Sequence, residues 1–264
     1  MIDDSGGNMK YAIIGGTGVY SLGGNVKEVS LETPYGIIDF SVMEKDGKEI
    51  IFLPRHGKDH SRPPHLVNYL GNMWALKEYG VDFVYATVAV GSTRSDIVPG
   101  DLVLLRDFLD FTKSRTMTFY DGSSGVVHVS MKEPYCSMLC DKILNTVNDN
   151  KSAIRDETIY VCTEGPRFET AAEISFYRQI GGDVVGMTNV PEVVLAKELS
   201  MCYCAVGVVT NMCTGLVNVE ATGSEIITIV KDRKEELTNL FVDIILKGDL
   251  VADACSCRLS LIRV

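Results

Sequence analysis

Apolar positions along this chain follow two rhythms. Short unbroken runs, Tyr11-Ala-Ile-Ile14, Val84 to Val90, Leu102 to Leu105, Thr158 to Cys162 and Tyr203 to Thr210, have the length of buried strands. Elsewhere apolar residues recur every three or four positions: Leu66, Tyr69, Leu70, Met73 and Leu76 predict a helix over 66–79, stopped by Gly80. Further helices are predicted over 169–179, stopped by Gly181-Gly182, over 192–200, and from Ser224, read as an N-cap, to about Leu246. Ile37 to Met43 and Glu49 to Leu53 read as hairpin strands around Asp46-Gly47, and Asp183 to Val185 as a short strand. Strands alternating with helices predict an α/β fold, a mixed twisted sheet flanked by helices. A single domain over 9–264 behind a flexible extension over 1–8 is expected.

Composition narrows the partners. A net charge of −10 argues against a surface built for nucleic acid or acidic lipid, since both require clustered cations. A single phosphate is different, because one or two local cations and a few backbone N–H groups suffice to bind it. No apolar run is long enough to span a bilayer, and the acidic, Gly-rich start does not resemble a secretory signal, so a cytoplasmic location is expected. The eight cysteines, among them the pairs Cys136/Cys140, Cys202/Cys204 and Cys255/Cys257, lack the C-x2-C spacing of a zinc ribbon. No metal is expected from them; reduced thiols are the expectation for a cytoplasmic protein, and for the terminal Cys255 and Cys257 a disulfide and two free thiols both stay open.

Two loops carry candidate chemistry. Gly15-Gly-Thr-Gly18 follows the first strand, where glycines let the backbone approach an anion and Thr17 adds a hydroxyl. A dinucleotide site would need a glycine pattern that opens a helix, and Val19 to Gly24 opens none. Arg55-His-Gly57, just after Leu53, sets a forked permanent cation beside an imidazole.

Together with Asn68-Tyr69, Trp74-Ala-Leu-Lys77, Pro99-Gly-Asp101, Phe119-Tyr-Asp-Gly122, Glu164-Gly-Pro-Arg-Phe168 and Met187-Thr-Asn-Val-Pro-Glu-Val-Val-Leu-Ala-Lys-Glu198, these motifs occur in one order over about Tyr11 to Leu246. In that order the chain resembles the methylthioadenosine phosphorylases, within the trimeric purine nucleoside phosphorylases. The resemblance implies reversible phosphorolysis of a purine nucleoside to free base and sugar 1-phosphate, with phosphate as co-substrate and neither cofactor nor metal. Phosphate would be held by Thr17, Arg55, His56, the backbone around Val88 and Ala89, and Thr188. Val88 replaces a hydroxyl or amide side chain usual in the family and would keep only its backbone donor. Met187 would lie near the sugar and Phe168 beside the base, with Met212 and Cys213 next to them. Ser224 would fall in the region of the 5' substituent. His128 would reach a neighbour's pocket in a homotrimer or a dimer of trimers.

Two departures from the resembled family concern the base. Asn211 stands where 6-aminopurine enzymes of this type place Asp; its amide offers one donor and one acceptor, matching a 6-oxo oxygen and N7–H. Glu169 stands where they have a short neutral residue, and its carboxylate can accept from N1–H, which adenine lacks. Asn211, Glu169 and His56 are the candidate catalytic groups, and 6-oxopurine nucleosides the expected substrates. A methylthioadenosine phosphorylase tolerating Asn211, a silent nucleoside-binding protein and a cysteine-based redox or metal module are the competing readings.

Overall fold

The computed structural model describes residues 9–15, 25–58, 61–123, 125–149, 153–217, 222–248, 250–251 and 254–264. The expected extension over 1–8 lies outside them, as does Thr17. Strands β1 (Lys10–Ile14), β2 (Asn25–Thr33), β3 (Gly36–Lys45) and β4 (Lys48–Leu53) precede helix α1 (Tyr69–Glu78) and the long strand β5 (Val81–Ser92). After these come β6 (Leu102–Phe111), β7 (Val127–Val129), α2 (Ser137–Asp149), β8 (Ile154–Thr163), α3 (Ala171–Gln179) and β9 (Val184–Gly186). The chain closes with α4 (Asn189–Glu198), β10 (Cys202–Met212), α5 (Gly223–Lys247) and β11 (Leu261–Arg263). Nine strands make one mixed sheet in the order β10-β6-β8-β9-β5-β1-β4-β3-β2. Because β10 also pairs with β5, the part β5-β10-β6-β8-β9 closes on itself into a small barrel, from which β1, β4, β3 and β2 extend as an open wing. Helices α1 and α4 pack together, as do α2 and α5. Among the described residues no helix is long and apolar enough to cross a membrane.

The pairing of β5 creates the site. One of its edges carries β1 along Val81 to Ala86 and then β9 at Gly91 and Ser92, while β10 runs along the other edge. Between the end of β1 and the start of β9, residues 87–90 have no strand beside them on that first edge. Side chains alternate faces along a strand, and backbone N–H and C=O groups alternate edges. Thr87 and Ala89 therefore share one orientation and Val88 takes the other.

Several elements differ from the sequence reading. The helix expected from Leu66 begins at Tyr69, after a 3-10 turn (Pro64–Leu66) that leaves Leu66 exposed. Helix α3 begins at Ala171, not Glu169: Thr170 caps it, accepting from the Glu173 backbone while the Glu173 carboxylate accepts from the Thr170 backbone. Helix α5 begins one residue before Ser224, and the Thr222 carbonyl accepts its first hydrogen bond, from Ile226. β2, β7, β11 and α2 were not anticipated. β2 is an edge strand with little buried surface, its alternation confined to Val29, Leu31 and Thr33, and β7 and β11 are only three residues each.

Gly186 at the end of β9 is fixed by packing. A Cβ there would meet the Tyr160 hydroxyl at 2.6 Å and its ring at 2.8 Å. That hydroxyl accepts hydrogen bonds from the backbone N–H of Thr188 (3.1 Å) and Asn189 (3.4 Å), which hold the approach to α4. Gly186→Ala is expected to displace Tyr160 and to cost about 1–3 kcal/mol of stability, read as a lower urea midpoint with unchanged slope.

Candidate active site

A cavity of about 350 Å³ opens where β1 and β9 part from β5. Gly15, Arg55, His56, Thr87, Ala89 and Thr188 line it, together with Phe168, Glu169, Met187, Asn211, Met212 and Cys213. Residues from separate sequence motifs thus share one chamber.

Its most buried feature is an ion pair. Arg55 donates from Nε to Glu192 Oε2 at 2.6 Å and from Nη2 to Glu192 Oε1 at 2.7 Å, with side-chain exposures of 3% and 0%. Nη1 donates to the Thr87 carbonyl at 2.8 Å. Burial alone would lower the guanidinium's pKa, but the charge and hydrogen bonds of Glu192 reverse this and raise it. A guanidinium has five N–H donors; three are engaged here, and the remaining two belong to a side chain that faces the cavity. The network continues inward: Tyr203 Oη donates to Glu192 at 2.6 Å, Asn189 Nδ2 donates to Tyr203 at 2.7 Å, and Tyr135 Oη donates to Asn189 Oδ1 at 2.5 Å. Gly15, at φ +76°, is required beside it, since a Cβ would stand 3.0 Å from Arg55 Nη1 and 3.1 Å from Thr87 Oγ1.

Around this pair stand further groups suited to an anion. His56 Nδ1 lies 2.8 Å from the Arg62 carbonyl, which can only accept, so Nδ1 is the donor of that bond. Thr188 is the N-cap residue of α4, yet its hydroxyl makes no capping bond. Thr87 turns its carbonyl to Arg55, and two residues on, the Ala89 N–H lies along the same open edge. Val88 is placed differently from the expectation: its side chain is buried, it does not line the cavity, and strand alternation turns its N–H toward β10.

At the ends of β8 and β10 the lining changes character. Glu169 is buried, with Oε1 accepting from the Thr163 hydroxyl at 2.7 Å. It stands before the cap of α3, so its placement is not that of a first-turn carboxylate. Asn211 Oδ1 lies 2.7 Å from Thr210 Oγ1, and Nδ2 donates to the Met212 carbonyl at 3.1 Å. Gly91 makes room for this amide, since a Cβ there would meet Cys213 Sγ at 2.8 Å and Asn211 Nδ2 at 3.2 Å. Burial, and then the Glu169 charge, push the Cys213 thiol up to about 12, so it serves as a small apolar wall. Phe168 is 66% exposed at the rim, and Met187 fits against Gly165, whose Cβ would meet its sulfur at 2.6 Å.

Two expected residues lie elsewhere. Ser224, exposed near the start of α5, does not line the cavity; Ile226 does. His128 is exposed on β7, which pairs with β11 in a separate ribbon, and it does not reach this chain's own cavity.

The sequence reading also missed two residues. Lys234 lines the cavity from α5; it precedes Thr238, Phe241 and Ile245 on the buried face of that helix, a helical spacing that marked it as inward-facing. Burial, and then the nearby Arg55 charge, push its amine down to about 8. Arg115 is the second: it donates to the carbonyls of Val190 (2.6 Å), Glu164 (2.7 Å) and Thr163 (3.2 Å), clamping the end of β8 to the start of α4.

Comparison with known proteins gives one consistent result. The phosphorylase superfamily model matches residues 10–246. A probable 6-oxopurine nucleoside phosphorylase of Moorella thermoacetica is 48% identical over 240 residues, covering 90% of this chain and 92% of its own. A probable S-methyl-5'-thioinosine phosphorylase of Methanothermobacter thermautotrophicus is 44% identical over 250 residues, covering 93% and 86%. Among solved structures, a methylthioadenosine phosphorylase from an antarctic soil metagenomic library superposes with a TM-score of 0.87 at 33% identity, covering 97% of this chain and 92% of that one.

Replacing Glu192 by Gln would leave the Arg55 charge buried without its counter-charge. Glu192→Gln is expected to cost about 3–5 kcal/mol, measured by denaturant unfolding, whereas Tyr203→Phe, which removes only one hydroxyl from the network, should cost about 1–3 kcal/mol.

Proposed function

The chain belongs to the phosphorylase superfamily, and from that footing we propose that it is a 6-oxopurine nucleoside phosphorylase, cleaving inosine- or guanosine-type nucleosides with inorganic phosphate. The observation that carries the reading is the convergence of Glu169 and Asn211 on one cavity with Arg55, His56 and Thr188. Phosphate is bound by the two remaining N–H groups of Arg55, by His56, by the Thr188 hydroxyl and by the Ala89 N–H, with Thr17 as the expected further donor. Because Glu192 already balances Arg55, the cation added for the phosphate dianion is Lys234.

Phosphate attacks the anomeric carbon as the bond to the purine breaks; positive charge grows on the sugar and negative charge on the base. The bound dianion stabilises the first, and a hydrogen bond or proton at N7 relieves the second. Asn211 meets N7–H with its oxygen and the 6-oxo group with its nitrogen. Thr163 holds one oxygen of Glu169, leaving the other to accept from N1–H. With adenine these groups would face the wrong partners, and buried mismatches of this kind discriminate by up to roughly 10⁴- to 10⁵-fold. No cofactor enters this scheme.

Assembly as a homotrimer belongs to the same proposal. His128 stands on a ribbon whose neighbours Val126, Leu259, Ile262 and Val264 are exposed, a surface suited to a second copy. A cytoplasmic setting agrees with eight cysteines that carry no bridge.

Wild type is expected to favour inosine over adenosine, or methylthioinosine over methylthioadenosine, in kcat/KM, and Asn211→Asp to move that ratio toward the 6-amino substrate. Phosphate-dependent release of free base, followed for each pair, is the measurement. A wild type preferring the 6-amino member would replace this reading by S-methyl-5'-thioadenosine phosphorolysis.

Lys234 gives a second expectation, in pH. A lysine with a free-enzyme pKa of about 8 is cationic below that value and loses its charge above it. kcat/KM for phosphate should therefore fall as pH rises through about 8 while phosphate stays dianionic. Lys234→Gln should abolish this limb and raise the phosphate KM at neutral pH about tenfold or more; an unchanged profile would remove Lys234 from the phosphate site.

A further inference from the structure

Four cysteines distant in sequence converge outside the cavity. Cys136 stands just before α2, Cys202 opens β10, and Cys255 and Cys257 lie in the tail between α5 and β11; their sulfur atoms all lie within 4.8 Å of one another. Cys136, Cys202 and Cys257 are buried, Cys255 is half-buried, and none of the four lines the cavity. The spacings in the chain argued against a metal because no C-x2-C pair is present. The fold supplies what the spacing lacks, drawing the ligands from three separate places.

Two observations separate this cluster from ordinary buried thiols. The first is geometric: four sulfurs on a tetrahedral ion with bonds of about 2.3 Å stand about 3.8 Å apart, within the spread found here. Cys140 and Cys204, 3.2 Å apart in the core, do not belong to this group of four, within which Cys202 and Cys255 are 3.3 Å apart. The second is Lys197. Its amine lies on a residue only 2% exposed, and the Cys257 sulfur at 3.8 Å is its hydrogen-bond partner. No carboxylate lies within ion-pair distance of it among the described residues. A neutral thiol is a weak acceptor for a buried amine, and a thiolate cluster of net negative charge is a strong one.

We propose that Cys136, Cys202, Cys255 and Cys257 form a closed tetrathiolate site for one zinc ion, which pins the C-terminal tail to the body of the fold. On binding, four thiols release four protons and four sulfur–zinc bonds form; no electron is transferred. The resulting centre carries a charge of −2, of which Lys197 offsets one. Four protein ligands leave no open position, so the role is structural. The pinned tail leads directly into β11, whose pairing with β7 supports the ribbon that bears His128. Ser260 secures the same segment, its hydroxyl 3.2 Å from the Lys197 carbonyl.

The test is the metal content of the full-length protein, purified under reducing conditions without chelator from zinc-supplemented cells. Elemental analysis is expected to find one zinc per chain in wild type and in Cys140→Ser, falling to background in Cys202→Ser and Cys257→Ser with a lower Tm. Because a serine variant could fail to fold, the wild-type count is paired with thiol alkylation before and after release of the metal. The four cluster thiols should be protected before release and reactive after it. Wild type without zinc, zinc kept in both cluster variants, or peptide mapping that finds the four cysteines in disulfides would overturn the proposal.

Discussion

The Arg55–Glu192 pair is the constraint on which the site depends. Two opposite charges are held in the interior, so each requires the other, and neither can move without exposing its partner to an apolar surrounding. Such a pair adds little net stability compared with apolar packing, but it is exacting about geometry. The guanidinium comes from the loop after β4, the carboxylate from α4, the supporting hydroxyl from β10 and the last link from the turn before α2. Four parts of the fold are thereby set in one register, and the arginine is held in the cavity wall.

The sheet adds the second half of the arrangement. A strand edge with no neighbour normally invites aggregation or must be covered. In β5 the uncovered stretch lies inside the molecule, between β1 and β9, where its polar groups are available to a ligand. Gly15, Gly91 and Gly186 stand around that opening, and in each case a single Cβ would collide with a group that shapes the site. The chamber thus results from missing pairing and missing side chains as much as from the residues that line it.

Much of this was legible in the sequence, for physical reasons. The central strands are apolar on both faces, and they appeared as runs near their observed places. Arg55, His56, Glu169, Thr188 and Asn211 stood at strand ends, where α/β folds gather ligands, and they meet in one cavity. What could not be read was non-local. Edge strand β2 carries a mostly exposed pattern; the N-terminal bounds of α3 and α5 turn on capping bonds; the outward or inward sense of Val88 depends on its partner strand. Lys234 was readable in principle from helical spacing, but a lysine on an apolar face is easily passed over. The cysteine cluster was not readable at all, because its members share no local spacing.

Strand β10 runs from the cysteine cluster at one end to the cavity at the other. Cys202 opens it, and nine residues later, about 30 Å away at the usual strand rise, Asn211 stands one residue from its end beside the cavity. Everything from Cys202 to Thr210 is buried, while Asn211 is only half-buried at the margin of the core. A substitution there changes the cavity wall more than the packed core. On the proposed function, a change at that end of the strand alters the ligand's surroundings while the rest of the strand answers to packing alone, so substrate choice and folding are separable within one element.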